Sequence, residues 1–402
     1  MRADRRALLA GLGAGALAGC APPMFREAAD EADLLDAAPY GIRDVLVRQW
    51  GDALNADESA AIMRNWIGLM RATRAEQIAT GGPLTETALI LSGGGPDGAF
   101  GAGLLNGWTE RGDRPDFTIV TGISTGAILS VFAFLGPDWD AAMTEVYTTY
   151  RTAQLFTPTF FAALTGGAAA TDATPFRALI DRYVSDDVVA RIADEGRRGR
   201  ALLIGTTNLD AVRPVIWNVS AIARSAHPEA PRLIRDVIQA SSAIPGAFPP
   251  VLIPVHLPDG RVRDELHVDG GATQQLMFFS PDFPMRRVDR ELGVRIDRTA
   301  WVVVNNKLDK PYAPVPPRLL RIAAAAAGGL LGGSGAGDLY RLWAIAARDG
   351  IDLNIVSIPR DFDAVATEPF DPVYMTALYE LGRAMGLAGD AWSDRPPDFT
   401  AD

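Results

Sequence analysis

Two stretches of this chain pass from a strand-length apolar run through glycines into an apolar helical run, and few folds accommodate that order. Thr87-Ala-Leu-Ile-Leu91 leads into Gly93-Gly-Gly-Pro-Asp-Gly98 and a helical segment over 99–108. Phe117-Thr-Ile-Val-Thr121 leads into Gly122-Ile-Ser-Thr-Gly126 and an apolar segment over 127–134. Strand, turn and helix in repetition point to an α/β sheet, whose ligands gather at the carboxyl ends of the strands. Gly93, Gly95 and Gly98 fit G-x-G-x-x-G, so a nucleotide-binding protein is one reading. That reading needs an Asp or Glu at the end of the next strand to hold a ribose, and the segment ending in Gly122–Gly126 offers none.

G-x-S-x-G between a strand and a helix is a nucleophile elbow. The serine of such an elbow sits in a tight turn where side chains two residues before and after it would collide, hence Gly122 and Gly126. Ser124 would then stand at a helix N-terminus, where free N–H groups favour developing negative charge. With 40 glycines in the chain the motif could arise by chance; the strand before it and the buried helix after it set it apart. Acyl transfer also needs backbone donors aimed at an oxyanion, and Gly93, Gly94 and Gly95 at the end of the neighbouring strand would leave theirs unobstructed. Gly98, Gly101 and Gly103, further along, suit close helix packing.

A serine needs a base. Of three histidines, His227 reads as an exposed loop residue and His256 as part of a hairpin turn. His267 and Asp269 share one face of the strand Glu265-Leu-His-Val-Asp269, which runs into Gly270-Gly271. Either could take the proton. The strand end puts Asp269 at the rim of the sheet, with His267 ~6–7 Å deeper, so geometry leans toward Asp269.

Gly93–Gly98, Gly122–Gly126 and Asp269-Gly270-Gly271, in that order, resemble the patatin-like phospholipases. Thr206-Thr-Asn-Leu-Asp210 and the block from Ala240 to Pro250 agree, and the likeness covers about residues 86–275. It implies a three-layer α/β/α sandwich with a mainly parallel central sheet, a modified α/β-hydrolase. It also implies a serine–aspartate dyad of Ser124 and Asp269, an oxyanion loop over 93–98, no metal and no cofactor. Many members carry Arg or Lys just before the last glycine of the first motif, where this chain has Asp97. An acid there would oppose an anionic head group, so neutral esters or lysolipids stand beside phospholipids as expected substrates.

The one cysteine, Cys20, closes a short apolar run that follows Arg2, Arg5 and Arg6. Positive n-region, apolar h-region and small residue before the cut make residues 1–19 a signal peptide. Leu17-Ala-Gly-Cys20 resembles a bacterial lipobox, which implies lipidation of Cys20 and a lipid-anchored protein of the cell envelope; in a Gram-negative host Ala21 would favour the periplasmic face of the outer membrane. Arg5-Arg6-Ala-Leu-Leu9 also resembles a twin-arginine export signal. Cleavage would remove three Arg and one Asp and take the net charge from -11 to -13. So acidic a chain, with no basic block after the leader, has little with which to bind nucleic acid or a membrane surface electrostatically.

Residues 20–41 read as a solvated tether. Residues 42–80 read as two helices split near Asn55, residues 86–275 as the catalytic domain, and residues 276–402 as its α/β completion. Within that completion Trp301–Asn306 and Ile351–Ile358 suit strands and Phe370–Gly386 a helix. Ile322–Gly335 is too short and glycine-rich to span a bilayer, and reads as a lid or a fraying helix. The apolar stretch 157–170 would border an acyl pocket. A serine esterase, a nucleotide-binding protein and a catalytically silent envelope scaffold are the readings that the sequence leaves to be compared.

Overall fold

The computed structural model describes residues 26–34, 36–43, 46–159, 169, 171–309, 312 and 314–397. The leader, Cys20 and most of the stretch 157–170 lie outside them.

Among the described residues the strands are β1 (Ala38–Pro39), β2 (Arg48–Trp50), β3 (Leu84–Leu91), β4 (Ile119–Ile123), β5 (Thr157–Pro158), β6 (Thr171–Asp172), β7 (Ala201–Asn208), β8 (Arg213–Asn218), β9 (Val251–His256), β10 (Val262–Asp269), β11 (Ile296–Val304) and β12 (Ile351–Ser357). β5 and β6 form a small pair; the others form one sheet. Its centre is parallel, in the order β12-β11-β3-β4-β7. Antiparallel β8 and then β2 extend it beyond β7, and the β9–β10 hairpin with β1 joins at the upper half of β7.

Alternating side chains of the central strands go to two separate cores. Leu89, Leu91, Val120, Leu202 and Ile204 belong to one, and Ala88, Ile90, Ile119, Ile123, Ala201 and Leu203 to the other. A strand buried on both faces reads as an unbroken apolar run, which is why Thr87–Leu91 was legible without alternation. The helices that position the site are α1 (Ala56–Thr73), α2 (Gly98–Arg111), α3 (Thr125–Leu135), α4 (Asp140–Thr148), α5 (Thr174–Tyr183), α6 (Ala230–Ser241), α7 (Leu319–Asp349) and α8 (Pro372–Ala388). The result is the three-layer α/β/α arrangement that the sequence implied.

Helices α2 and α8 meet backbone to backbone. A Cβ at Gly103 or Gly107 would run into the carbonyls of Tyr379 and Arg383, and one at Gly382 or Gly386 into those of Phe100 and Leu104. Four-residue spacing puts each glycine pair on one face of its helix. The C-terminal helix therefore clamps the helix that follows the first glycine loop.

The N-terminal region departs from expectation in two places. Residues 20–41 were expected to be a solvated tether, but from Arg26 the chain is docked: Arg26 pairs with Asp210, Asp264 donates its N–H to the Glu27 carbonyl, and β1 pairs with β9. Glu27 and Asp33 likewise pair with Arg263 and Arg261. Of the two helices expected over 42–80, the first is not found among the described residues; Arg48–Trp50 pairs with β8 instead. A short apolar run does not distinguish strand from helix by period, and an open sheet edge settled it. The second helix, α1, starts where Asn55 and Glu58 form a capping box. The segment 322–335 lies within α7, a helix of 31 residues.

Candidate active site

Ser124 follows β4 and caps α3 with φ 56° and ψ -124°, a backbone region costly for a residue with a Cβ. Gly122 and Gly126 permit the turn: a Cβ on Gly122 would meet the Gly126 carbonyl, and one on Gly126 the Leu91 carbonyl. The conformation is held from outside the motif. The Ser124 N–H donates to Ser241 Oγ at 2.9 Å, and that hydroxyl donates to the Gly205 carbonyl at 2.6 Å.

Asp269 is the last residue of β10, and its buried carboxylate lies near enough to the Ser124 side chain for that hydroxyl to pull its pKa down. The Gly271 N–H donates to Asp269 Oδ1 at 2.7 Å, and the Asp269 N–H donates to the Ala243 carbonyl at 2.9 Å. Burial raises its pKa to about 7, against the opposing pull of the Ser124 hydroxyl and the Gly271 N–H. A carboxylate so placed is a base matched to neutral pH. Gly270 lies against Gly205, where a Cβ would stand 2.6 Å from the Gly205 carbonyl oxygen.

His267 is fully buried and its ring nitrogens are engaged. Nε2 faces Glu265 at 3.1 Å and Nδ1 faces Thr206 Oγ1 at 2.9 Å, while Trp217 Nε1 donates to the same hydroxyl. Burial depresses the imidazole pKa, with Glu265 pulling the other way. Glu265, which burial alone would raise, is held near 2 by Arg48 and His267. The set is a satisfied internal network tying the N-terminal segment to β10, and it leaves His267 without a free face for Ser124. His227 and His256 are not brought to the site.

The first glycine loop lies beside the elbow. Gly93 directs its N–H to the Gln275 carbonyl at 3.4 Å, and its carbonyl accepts from Ser92 Oγ at 2.7 Å and from Asn306 Nδ2 at 3.0 Å. Because a trans peptide is planar, fixing the Gly93 carbonyl fixes the direction of the Gly94 N–H. The N–H groups of Gly94, Gly95 and Thr125 donate to no acceptor among the described residues. Gly94 presses on the Asn305 carbonyl and Gly98 on Thr125 Oγ1, so neither could carry a side chain. Asp97 accepts a hydrogen bond from Tyr374 of α8 at 2.7 Å; the acid that departs from the family pattern is tied to the C-terminal helix.

Ser241, Asn306 and Gln275 were given no role from sequence. The block from Ala240 to Pro250 and the end of Trp301–Asn306 marked the neighbourhood of the first two; nothing marked Gln275, whose backbone N–H is held by Asp338 of α7. The Thr206–Asp210 block proves to hold β10: Thr207 donates to the Asp269 carbonyl and Asn208 to Glu265. Among the described residues no group of three or more His, Cys, Asp or Glu is placed to hold a metal ion, and no helix is long and apolar enough to cross a membrane.

The site is thus an α/β sheet with a strained serine after one strand end and a buried carboxylate at the end of another. Residues 89–280 match the family model described as Patatin-like phospholipase. No curated protein matches the chain. Among solved structures, VipD from Legionella pneumophila is similar at 12% identity and TM-score 0.35, over 77% of this chain and 68% of its own. Human GIVD cytosolic phospholipase A2 is similar at 10% identity and TM-score 0.29, over 71% of this chain and 52% of its own.

Proposed function

We propose that this protein is a serine-dependent lipid acyl hydrolase in which Ser124 is the nucleophile and Asp269 the base. The observation that carries the proposal is the strained strand-to-helix turn at Ser124, with the buried carboxylate of Asp269 brought beside it by the meeting of two strand ends on β7. The match of residues 89–280 to the phospholipase family model supports lipid acyl esters as the substrate class.

In the first half-reaction Ser124 Oγ attacks the ester carbonyl as its proton passes to Asp269. The carbonyl oxygen, now an oxyanion, takes hydrogen bonds from the Gly94, Gly95 and Thr125 N–H groups. Collapse breaks the bond to the alcohol, which leaves with the proton from Asp269. Water then attacks the acyl-serine, gives a proton to Asp269, and releases the acid as Ser124 recovers its hydrogen. One oxyanion donor of this kind is worth on the order of 3 kcal/mol. Asp97 at the edge of the loop favours neutral esters or lysolipids over anionic head groups.

The reading extends to location. A leader over 1–19 and lipidation of Cys20 would hold the enzyme at the bacterial envelope, near its lipid substrate. Labelling with a fluorophosphonate, alongside hydrolysis of p-nitrophenyl acyl esters, tests the chemistry: wild type reacts and Ser124→Ala does not. Equal labelling of the two would remove Ser124 from the mechanism.

A further inference from the structure

We infer that an apolar cavity beside the elbow receives the acyl chain, and that the buried face of α3 sets how long a chain it takes. The inference rests on the hydrolase reading above. The α3 wall of this cavity is Thr125, Ile128, Val131 and Phe132, with Ile238 of α6 and Met375 of α8 among the residues opposite. Each wall begins within one helical turn of the site. Thr125 follows Ser124. Ile238 stands three residues before Ser241, which holds the Ser124 N–H. Met375 follows Tyr374, which holds Asp97 of the glycine loop.

The chemistry of the lining selects hydrocarbon. Its three tyrosine hydroxyls each have a protein partner: Tyr147 donates to the Thr125 carbonyl at 2.8 Å, and Tyr150 and Tyr183 pair with each other at 2.9 Å. The other lining residues are aliphatic or phenyl, apart from Thr125, whose Oγ1 is paired with the Tyr147 hydroxyl at 2.7 Å. A cavity of this kind stays dry and takes apolar ligands. From Thr125 to Phe132 the helix rises ~10 Å, the length of a chain of about eight carbons, and the cavity, about 70 Å³ when empty, has to widen to take one. Phe132 stands at the far end, stacked on Trp139 and edge-on to Tyr183.

The test combines kinetics with binding on the whole protein. Wild type should prefer p-nitrophenyl octanoate to acetate in kcat/KM, and should bind decanoate in a calorimeter. Ile128→Trp, which puts an indole beside Thr125, should lower the octanoate-to-acetate ratio by about tenfold or more and abolish decanoate binding. Phe132→Leu should move the optimum to longer chains. An unchanged ratio and unchanged decanoate binding in folded Ile128→Trp would overturn the inference; if that variant does not fold, an unmoved optimum in Phe132→Leu does so. Decanoate binding that Ile128→Trp removes, in a protein that cuts no ester, would leave the cavity assigned and refute the hydrolase. Hydrolysis of acetate without octanoate preference or decanoate binding would do the reverse.

Discussion

Ser124 and Asp269 reach the same edge of β7 from opposite directions. β4 runs parallel to β7 and ends with Ile123 opposite Gly205; β10 runs antiparallel and ends with Asp269 opposite Thr206. β8 occupies the other edge over the same residues. The two strands therefore abut tip to tip, and the residue after one meets the last residue of the other.

On the proposed mechanism, activity depends on the ionisation of one buried acid. Asp269 must be deprotonated to accept the serine proton, and burial places its pKa at about 7. The rate of ester hydrolysis should climb between about pH 6 and 8 and flatten above. A profile flat down to pH 5 would show that another group is the base.

The same shift has a sign for stability. A carboxyl whose folded pKa lies above its unfolded value of 3.8 destabilises the fold as it ionises, progressively from pH 4 to about 7. Asp269→Asn removes that cost while keeping an acceptor for the Gly271 N–H. Its melting temperature should exceed wild type at pH 8 and approach it at pH 5, although its hydrolysis is lost at both.

Ser241 should matter as much to the nucleophile as residues of the motif itself. Ser241→Ala leaves the Ser124 N–H without a partner in a buried turn, a loss of about 1–3 kcal/mol. Fluorophosphonate labelling should slow by about tenfold or more, measured on protein verified as folded. Labelling at the wild-type rate would mean that the elbow holds its shape unaided.

Glu265→Ala isolates the internal network from the chemistry. It strips a buried partner from both Arg48 and His267, and breaking such an arrangement costs about 3–5 kcal/mol. Chemical denaturation should show that loss. His267→Ala, by contrast, should retain the pH dependence set by Asp269, and a displaced profile would place His267 in the catalytic chain.

The clamp between α2 and α8 predicts a steric failure. Gly382→Val inserts atoms where the Phe100 carbonyl already lies. Overpacking of this kind costs about 1–3 kcal/mol, read as a lower melting temperature.

The elbow at Ser124, the glycine loop before α2 and the strand end at Asp269 were all legible in the chain, because each is a local matter: a turn that excludes Cβ atoms, a helix N-terminus, a strand running into glycines. Which residue partners Ser124 was less so. His267 and Asp269 share a strand face, and only the antiparallel register of β10 against β7 brings one to the serine and seals the other among Glu265, Thr206 and Trp217. Ser241 and Asn306 lie more than a hundred residues from the atoms they orient, and no period or motif connects them. The docking of Arg26 and the strand at Arg48–Trp50 were misread for the same reason: charge and short apolar runs take their meaning from what they touch. Local sterics are written in adjacent residues, whereas register and burial are properties of the assembled sheet.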